Sequence, residues 1–345
     1  MIGAADGGNG SVMRKPVINW IGKALLAGVI ALAGLCLFCA LYYNVPVHYT
    51  NESGATEYKW EAKRFYSKGT EGFAWGRTNN DGFNNLRDYA PGDRIDILLM
   101  GSSHMEGFNV AQDENAAAVL NTLFAGEKYT YNIGTAGHTL PYCVKHLDRA
   151  LSHYAPGQYV ILETATLDYA PEAMASAVDG TLADIPSHTG GLIAMLQKLP
   201  FLRLFYTKYV KGGEAFGDVG GGNVSAVSEE DYFCAAQALL EMIGRESAEH
   251  GVTAVLVYDP AVHPLKDGGL CADGTSERRE LFARLCEENG VLFVDLTARV
   301  LAGTAEAGHF PFGFSNTEPD NAHINRFGQR LFAEGVYAAI VEREG

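Results

Sequence analysis

Residues 24–43, ALLAGVIALAGLCLFCALYY, hold no charged side chain in twenty positions. Coiled as a helix, such a run is about 30 Å long, the thickness of a hydrocarbon core. Tyr42 and Tyr43 close it where an interfacial aromatic belt would lie. A cleaved signal peptide is the alternative, but the run is long for an apolar signal core and no small-x-small cleavage site follows it. Arg14, Lys15 and Lys23 precede the run against a single acid, Asp6. Positive flanks stay inside, so 1–23 is expected to be a cytoplasmic tail, 24–43 a transmembrane helix and everything from Asn44 onward extracytoplasmic. The expected location is a cell membrane, crossed once.

Beyond the span the balance is 23 basic against 40 acidic residues, a net −17. That surface excludes nucleic acid as a partner, because phosphate binding needs clustered Lys and Arg. It also excludes general attraction to anionic lipid. With 47% hydrophobic residues in 345 there is material for a real core, and no internal repeat of about 20–50 residues is visible. Six cysteines, two of them (Cys36 and Cys39) inside the apolar run, are too few and too scattered for a disulfide scaffold or a zinc ribbon. A Cys271–Cys286 bridge is permitted by compartment, and buried free thiols are equally consistent.

Residues 44–94 are rich in Asn, Gly and aromatic residues and show little periodicity, which predicts an irregular arm between membrane and domain. Trp60, Phe65, Phe73, Trp75 and Phe83 predict that it packs on something. From residue 95 short apolar runs alternate with helical patterns. Strands are expected at 95–100, 129–133, 158–164, 252–258 and 291–296, and helices at 116–124, 141–154, 229–251, 276–290 and 325–344. Continuous apolar strands alternating with helices predict an α/β fold, a parallel sheet covered on both faces. Chemistry in such sheets gathers beyond the carboxyl ends of the strands. Residues 170–228 interrupt the alternation as an insertion. Within it 192–213 is apolar and aromatic with four cations, broken at Pro200, and reads as a cap over the sheet or as an interfacial or partner-docking segment.

Three segments sit where the chemistry should be. Strand 95–100 runs into Gly101-Ser102-Ser103-His104, strand 129–133 into Gly134-Thr135-Ala136-Gly137, and Asp320-Asn321-Ala322-His323 stands just before the last helix. A serine on a tight turn after a strand exposes its hydroxyl at the rim, while the next helix aims amides at the same point. A hydroxyl of alcohol-like pKa needs a base, and the base needs an orienting acid. His104, His138 and His263 also fall near strand ends, as lining or as ordinary rim residues; none shows metal-ligand spacing with supporting carboxylates, so neither metal nor cofactor is expected.

The combination resembles the SGNH hydrolase superfamily, the GDSL-type esterases, over residues 95–345. The resemblance implies a three-layer α/β/α fold with a flavodoxin-like sheet. It implies Ser103 as nucleophile, with Ser102 where the family usually has Asp; Gly134 and the Ser103 amide as oxyanion donors; and Asp320 and His323 as orienting acid and base. The family's third block, a Gly-x-Asn-Asp-like turn, is absent, since the chain reads Leu162-Glu163-Thr164-Ala165-Thr166-Leu167-Asp168 there. Thr164 or Thr166 is the candidate substitute donor. The implied activity is a serine esterase or O-acyltransferase passing through an acyl-serine, acting on O-acyl esters of cell-envelope or exported polysaccharide, with a membrane-embedded donor partner if acyl groups are transferred. The competing expectation is a binding or assembly component of a polysaccharide export system whose fold has lost efficient chemistry.

Overall fold

The computed structural model describes residues 14–44, 48–49, 59–184, 200–205, 228–318, 320 and 323–345. A single helix, α1 (Arg14–Tyr42), opens the described chain and extends through the basic flank as well as the apolar run. Its stretch from Asn19 to Tyr42 has a mean hydropathy of 2.6 and is only 6% buried. Leu25, Val29, Leu32 and Leu37 all face outward. A helix apolar on every side and exposed along most of its length is long and apolar enough to cross a membrane, a test that a signal sequence also passes.

The helix leads straight into the arm, which the sequence predicts to be irregular and which carries short strands. These are β1 (Tyr43–Asn44), β2 (His48–Tyr49), β3 (Lys59–Trp60), β4 (Phe65–Lys68) and β5 (Ala74–Arg77). β1, β4 and β5 form one antiparallel sheet, and β2 pairs with β3. The end of α1 is tied to this sheet: Ser67 Oγ donates to the Ala40 carbonyl at 3.2 Å and Gly69 N–H to that of Tyr42 at 2.8 Å. The expectation that the arm's aromatics pack holds for Trp60 and Phe83, which are buried, whereas Phe65, Phe73 and Trp75 are exposed.

The main sheet has five strands, β6 (Ile97–Met100), β7 (Thr130–Asn132), β8 (Tyr159–Thr164), β9 (Thr253–Tyr258) and β12 (Leu292–Asp295). All pair in parallel in the order β12-β9-β8-β6-β7. The first strand thus sits between the second and third, the flavodoxin-like order, and its switch point lies between β6 and β8. Both of those strands are buried along their whole length. Alternate residues of β6 serve opposite faces, Leu98 and Met100 one and Ile97 and Leu99 the other.

Helices α4 (Leu140–Lys145), α5 (Leu147–Tyr154), α6 (Pro171–Val178), α8 (Glu229–Glu249) and α9 (Ser276–Glu288) cover the first face through Leu140, Leu151, Met174, Leu239 and Phe282. Helices α3 (Ala116–Leu123), α10 (Thr297–Ala307) and α11 (Arg326–Glu344) cover the second through Leu120, Val300 and Phe332. The predicted three-layer arrangement is therefore present.

The predicted helix 141–154 is two helices, broken where His146 leaves helical geometry (φ −103°, ψ 6°). Helix α10 and a hairpin of β10 (Val262–Pro264) with β11 (Leu270–Ala272) were not foreseen. Most of 192–213 lies outside the described residues. What is described is α7 (Pro200–Phe205), which begins at the proline that was expected to interrupt the segment, as suits a residue with no N–H to donate. Cys271 and Cys286 are free thiols, the latter deep in the core.

Candidate active site

Ser103 is the first residue of a four-residue helix, α2 (Ser103–Glu106), that turns off the end of β6. So short a helix cannot satisfy its own carbonyls. Three buried amide side chains, from the last helix, β7 and a loop of the arm, do it instead. Gln329 Nε2 donates to the His104 carbonyl at 2.6 Å, Asn132 Nδ2 to that of Met105 at 2.7 Å and Asn84 Nδ2 to that of Glu106 at 2.9 Å. Glu106 adds a crossing point, its Oε1 accepting from Trp60 Nε1 at 2.5 Å and from the Ala136 amide at 2.9 Å. Arm, GSSH turn and second glycine turn are thereby pinned together.

Gly101 and Gly134 permit the crowding. A Cβ on Gly101 would lie 2.5 Å from Glu163 Oε2, and one on Gly134 would lie 2.6 Å from Met105 Cβ. Glu163 reaches from β8 to Ser102, where its Oε2 accepts both the backbone N–H at 2.8 Å and the hydroxyl at 2.9 Å. The carboxylate that the family pattern places at position 102 is here supplied from the neighbouring strand. Ser102 Oγ in turn caps α2 by accepting from His104 N–H at 3.2 Å.

His323 comes to the same rim: its ring centroid is 6.0 Å from that of His104. Its carboxylate partner is Glu71, from the arm. Glu71 Oε1 and Oε2 lie 2.6 and 2.7 Å from His323 Nδ1, and Oε1 also accepts the His323 backbone N–H at 2.5 Å. Burial raises the Glu71 carboxyl, but the His323 ring and amide, with Lys68, more than reverse this and hold it at about 2. The loop carrying Glu71 is itself held. Gly72 N–H donates to Asn316 Oδ1 at 2.8 Å, and Asn316 Nδ2 donates back to the Gly69 carbonyl at 2.9 Å.

Asp320, expected to orient His323, is turned elsewhere, with its Oδ2 3.7 Å from Nδ1 of His263. The reason is occupancy: the imidazole nitrogen and the backbone amide that a folded-back Asp320 would meet are both taken by Glu71. The amide of Gly134, the other expected oxyanion donor, donates to Asn132 Oδ1 at 2.8 Å. The Thr164 hydroxyl is buried and committed to the Thr166 carbonyl at 2.5 Å and to Tyr169 OH at 2.8 Å. Thr166 is exposed, its Oγ1 accepting from the Asp168 amide at 3.0 Å. Of the expected donors, the Ser103 amide and the Thr166 hydroxyl are the two for which no described group serves as acceptor.

Beneath the serine turn lies a group that the spacing did not suggest. His104 Nδ1 is 3.7 Å from Glu163 Oε1 and 3.9 Å from Asp259 Oδ2. Asp259 directly follows β9, its amide donating to the Thr164 carbonyl at 2.9 Å. All three facing atoms are buried without a hydrogen-bond partner. Burial first, and the His323 imidazole second, push His104 down to about 3, so it is neutral at ordinary pH. Burial pushes Glu163 up to about 6 against the two Ser102 bonds, and burial with the Glu163 charge pushes Asp259 well above the carboxylate range. His138, directly after the second glycine turn, is buried against Tyr142, ring centroids 4.5 Å apart.

No protein-family model and no curated protein matches the sequence. Solved structures similar to this chain include the psychrotrophic esterase EstA from a Pseudoalteromonas species, at 13% identity and a TM-score of 0.39, covering 72% of this chain and 97% of the other. A putative arylesterase from Agrobacterium tumefaciens is 14% identical with a TM-score of 0.39, over 71% and 98%. A putative GDSL-like lipase from Parabacteroides merdae is 14% identical with a TM-score of 0.37, over 73% and 98%. These neighbours are esterases and GDSL-type lipases. At such scores the overlays carry no conclusion about chemistry, which has to come from the residues themselves.

Proposed function

We propose that the chain is a membrane-anchored serine esterase or O-acyltransferase in which Ser103 attacks an ester carbonyl, His323 takes the hydroxyl proton and Glu71 orients and charges the imidazole. The observation that carries this reading is the two-point bond from Glu71 to Nδ1 and N–H of His323, beside the GSSH turn. A carboxylate on Nδ1 fixes the tautomer that turns Nε2 towards a nucleophile and stabilises the imidazolium formed in the reaction. His323 returns that proton to the departing alcohol as the acyl-serine forms, and the acyl group then passes to water in an esterase or to a sugar hydroxyl in a transferase.

The anchor reading rests on the exposed apolar α1 and its basic flank, with the N-terminus in the cytoplasm. The tie from Gly69 to the last turn of α1, two residues from Glu71, favours a substrate presented close to the outer membrane surface. O-acyl esters of envelope or exported polysaccharide, and a membrane-embedded acyl donor, suit that location. This assignment is an analogy of sequence pattern and place.

The second reading, a binding or assembly component, is favoured by one specific feature: the Gly134 amide and the Thr164 hydroxyl are already engaged. One missing oxyanion donor costs about 10²–10³ in rate. The two readings separate with p-nitrophenyl acetate and a fluorophosphonate probe on the full chain in detergent. Turnover and labelling, both abolished by Ser103→Ala, establish the enzyme. A folded protein with neither result is the binding component. Product analysis with an acetylated donor and a glycan acceptor then separates hydrolysis from transfer, and a C-terminal reporter active in the cytoplasm would overturn the topology.

A further inference from the structure

The group under the GSSH turn brings together three buried polar atoms that no described group hydrogen-bonds. Glu163 uses Oε2 to hold Ser102 by two donors, which is the bonding pattern of an ionised carboxylate, and turns Oε1 inward. Asp259 Oδ2 and His104 Nδ1 turn towards the same point, and the three atoms lie within 4.8 Å of one another. Buried polar atoms left unpartnered are costly unless they bond one another directly or share a cation.

The spacing discriminates between those two remedies. Separations of 3.7 and 3.9 Å are too long for a direct hydrogen bond from a protonated His104 to either carboxylate. They do suit two ligands on opposite sides of one ion. A point equidistant from three atoms about 4 Å apart lies about 2.3 Å from each, near the bond lengths of nitrogen and oxygen ligands to zinc and similar ions. Glu163 and Asp259 are about 1% exposed, so neither carboxylate is a solvated surface acid. His104, with 15% of its side chain exposed, opens the group to the rim and provides a path of entry.

We propose that His104 Nδ1, Glu163 Oε1 and Asp259 Oδ2 form a three-ligand binding site for a divalent transition-metal ion of the zinc class. One imidazole with two carboxylates is a donor set for such an ion, with a further position left for water. Bound there, the ion neutralises two carboxylates under α2 and fixes Glu163, which in turn fixes the turn that carries Ser103. The ends of β8 and β9 and the first turn of α2 supply the ligands, so the site closes across the switch point of the sheet. It stands whether or not Ser103 turns over an ester.

The test uses the full chain in detergent micelles, stripped with a chelator and dialysed against Zn²⁺ alone, with metal content read by mass spectrometry after gel filtration. One equivalent of Zn²⁺ per chain is expected. Asp259→Asn and His104→Ala should each weaken binding about 100-fold or more, with circular dichroism reporting whether the variants fold. Co²⁺ provides a second readout that needs no variant: a site with one nitrogen and two oxygen ligands gives visible d–d bands that Zn²⁺ abolishes. Failure of the folded wild type to retain stoichiometric Zn²⁺ would overturn the proposal, and so would equal retention by a folded Asp259→Asn protein. If the variants fail to fold, absence of Zn²⁺-quenched cobalt bands in the wild type overturns it instead.

Discussion

The two halves of the site are built differently. The serine half belongs to the sheet: α2 springs from β6, and amides from Asn84, Asn132 and Gln329 hold its carbonyls. The histidine half depends on the arm, because the partner of His323 lies 252 positions earlier, in the loop between β4 and β5. A motif reading therefore finds Ser103 and His323 but pairs the imidazole with Asp320, where the fold pairs it with Glu71. Local sequence order placed Asp320 within reach, and long-range packing placed Glu71 there first.

The sharpest way to break this comparison is to exchange the acids. Glu71→Gln should lower kcat on an acetyl ester about 10³–10⁴-fold with little change in KM, as removal of an orienting carboxylate does. Asp320→Asn should cost less than about tenfold. Equal losses, or the reverse order, would return the role to Asp320.

The next effect is on stability in acid. The Glu71 carboxyl is held at about 2 in the folded protein against an ordinary 4.5, so it is ionised over a range where the unfolded chain takes up a proton. Its contribution is complete above about pH 4.5 and is lost as pH falls towards 2. Up to about 3 kcal/mol is involved by the pKa difference. Melting curves from pH 6 to 2 should show the wild type losing its advantage over Glu71→Gln in that window. A constant difference would mean that the arm's loop is held by Asn316 and Tyr42 alone.

On the serine half, Gly134→Ala should cost about 1–3 kcal/mol of stability, since the added methyl meets Met105 at 2.6 Å and that side chain is locked in α2. A lower urea midpoint at an unchanged slope is the expected reading. The smallest effect belongs to the seam between the halves. Trp60→Phe keeps the ring against Phe108 and removes one donor from Glu106, at about 1–2 kcal/mol, with turnover reduced less than by Glu71→Gln.

How much of this was legible follows from the range of the forces involved. Ile97–Met100 and Tyr159–Thr164 announce themselves because both faces are buried, so apolar residues run without a break. Helix α10, TARVLAGTAEA, is hidden by its small and polar residues and by following β12 with hardly a gap. Ser103 and His323 are visible because each stands beside the end of a periodic element. Glu163 and Asp259 could have been noticed as acids at the ends of strands otherwise built for burial, a position where charge is costly. Glu71 carried no such signal, since Thr70-Glu71-Gly72 looks like any polar loop and its meaning depends wholly on what it touches.

The strap from the last turn of α1 through Gly69 to Glu71 decides where the protein can be cut. A soluble version started at residue 95 would keep every motif, the whole parallel sheet and both serines, yet leave the imidazole without its anion and Glu106 without its tryptophan. The smallest unit that keeps both bonds therefore begins upstream of Trp60, and excision of α1 must spare the ribbon that follows it.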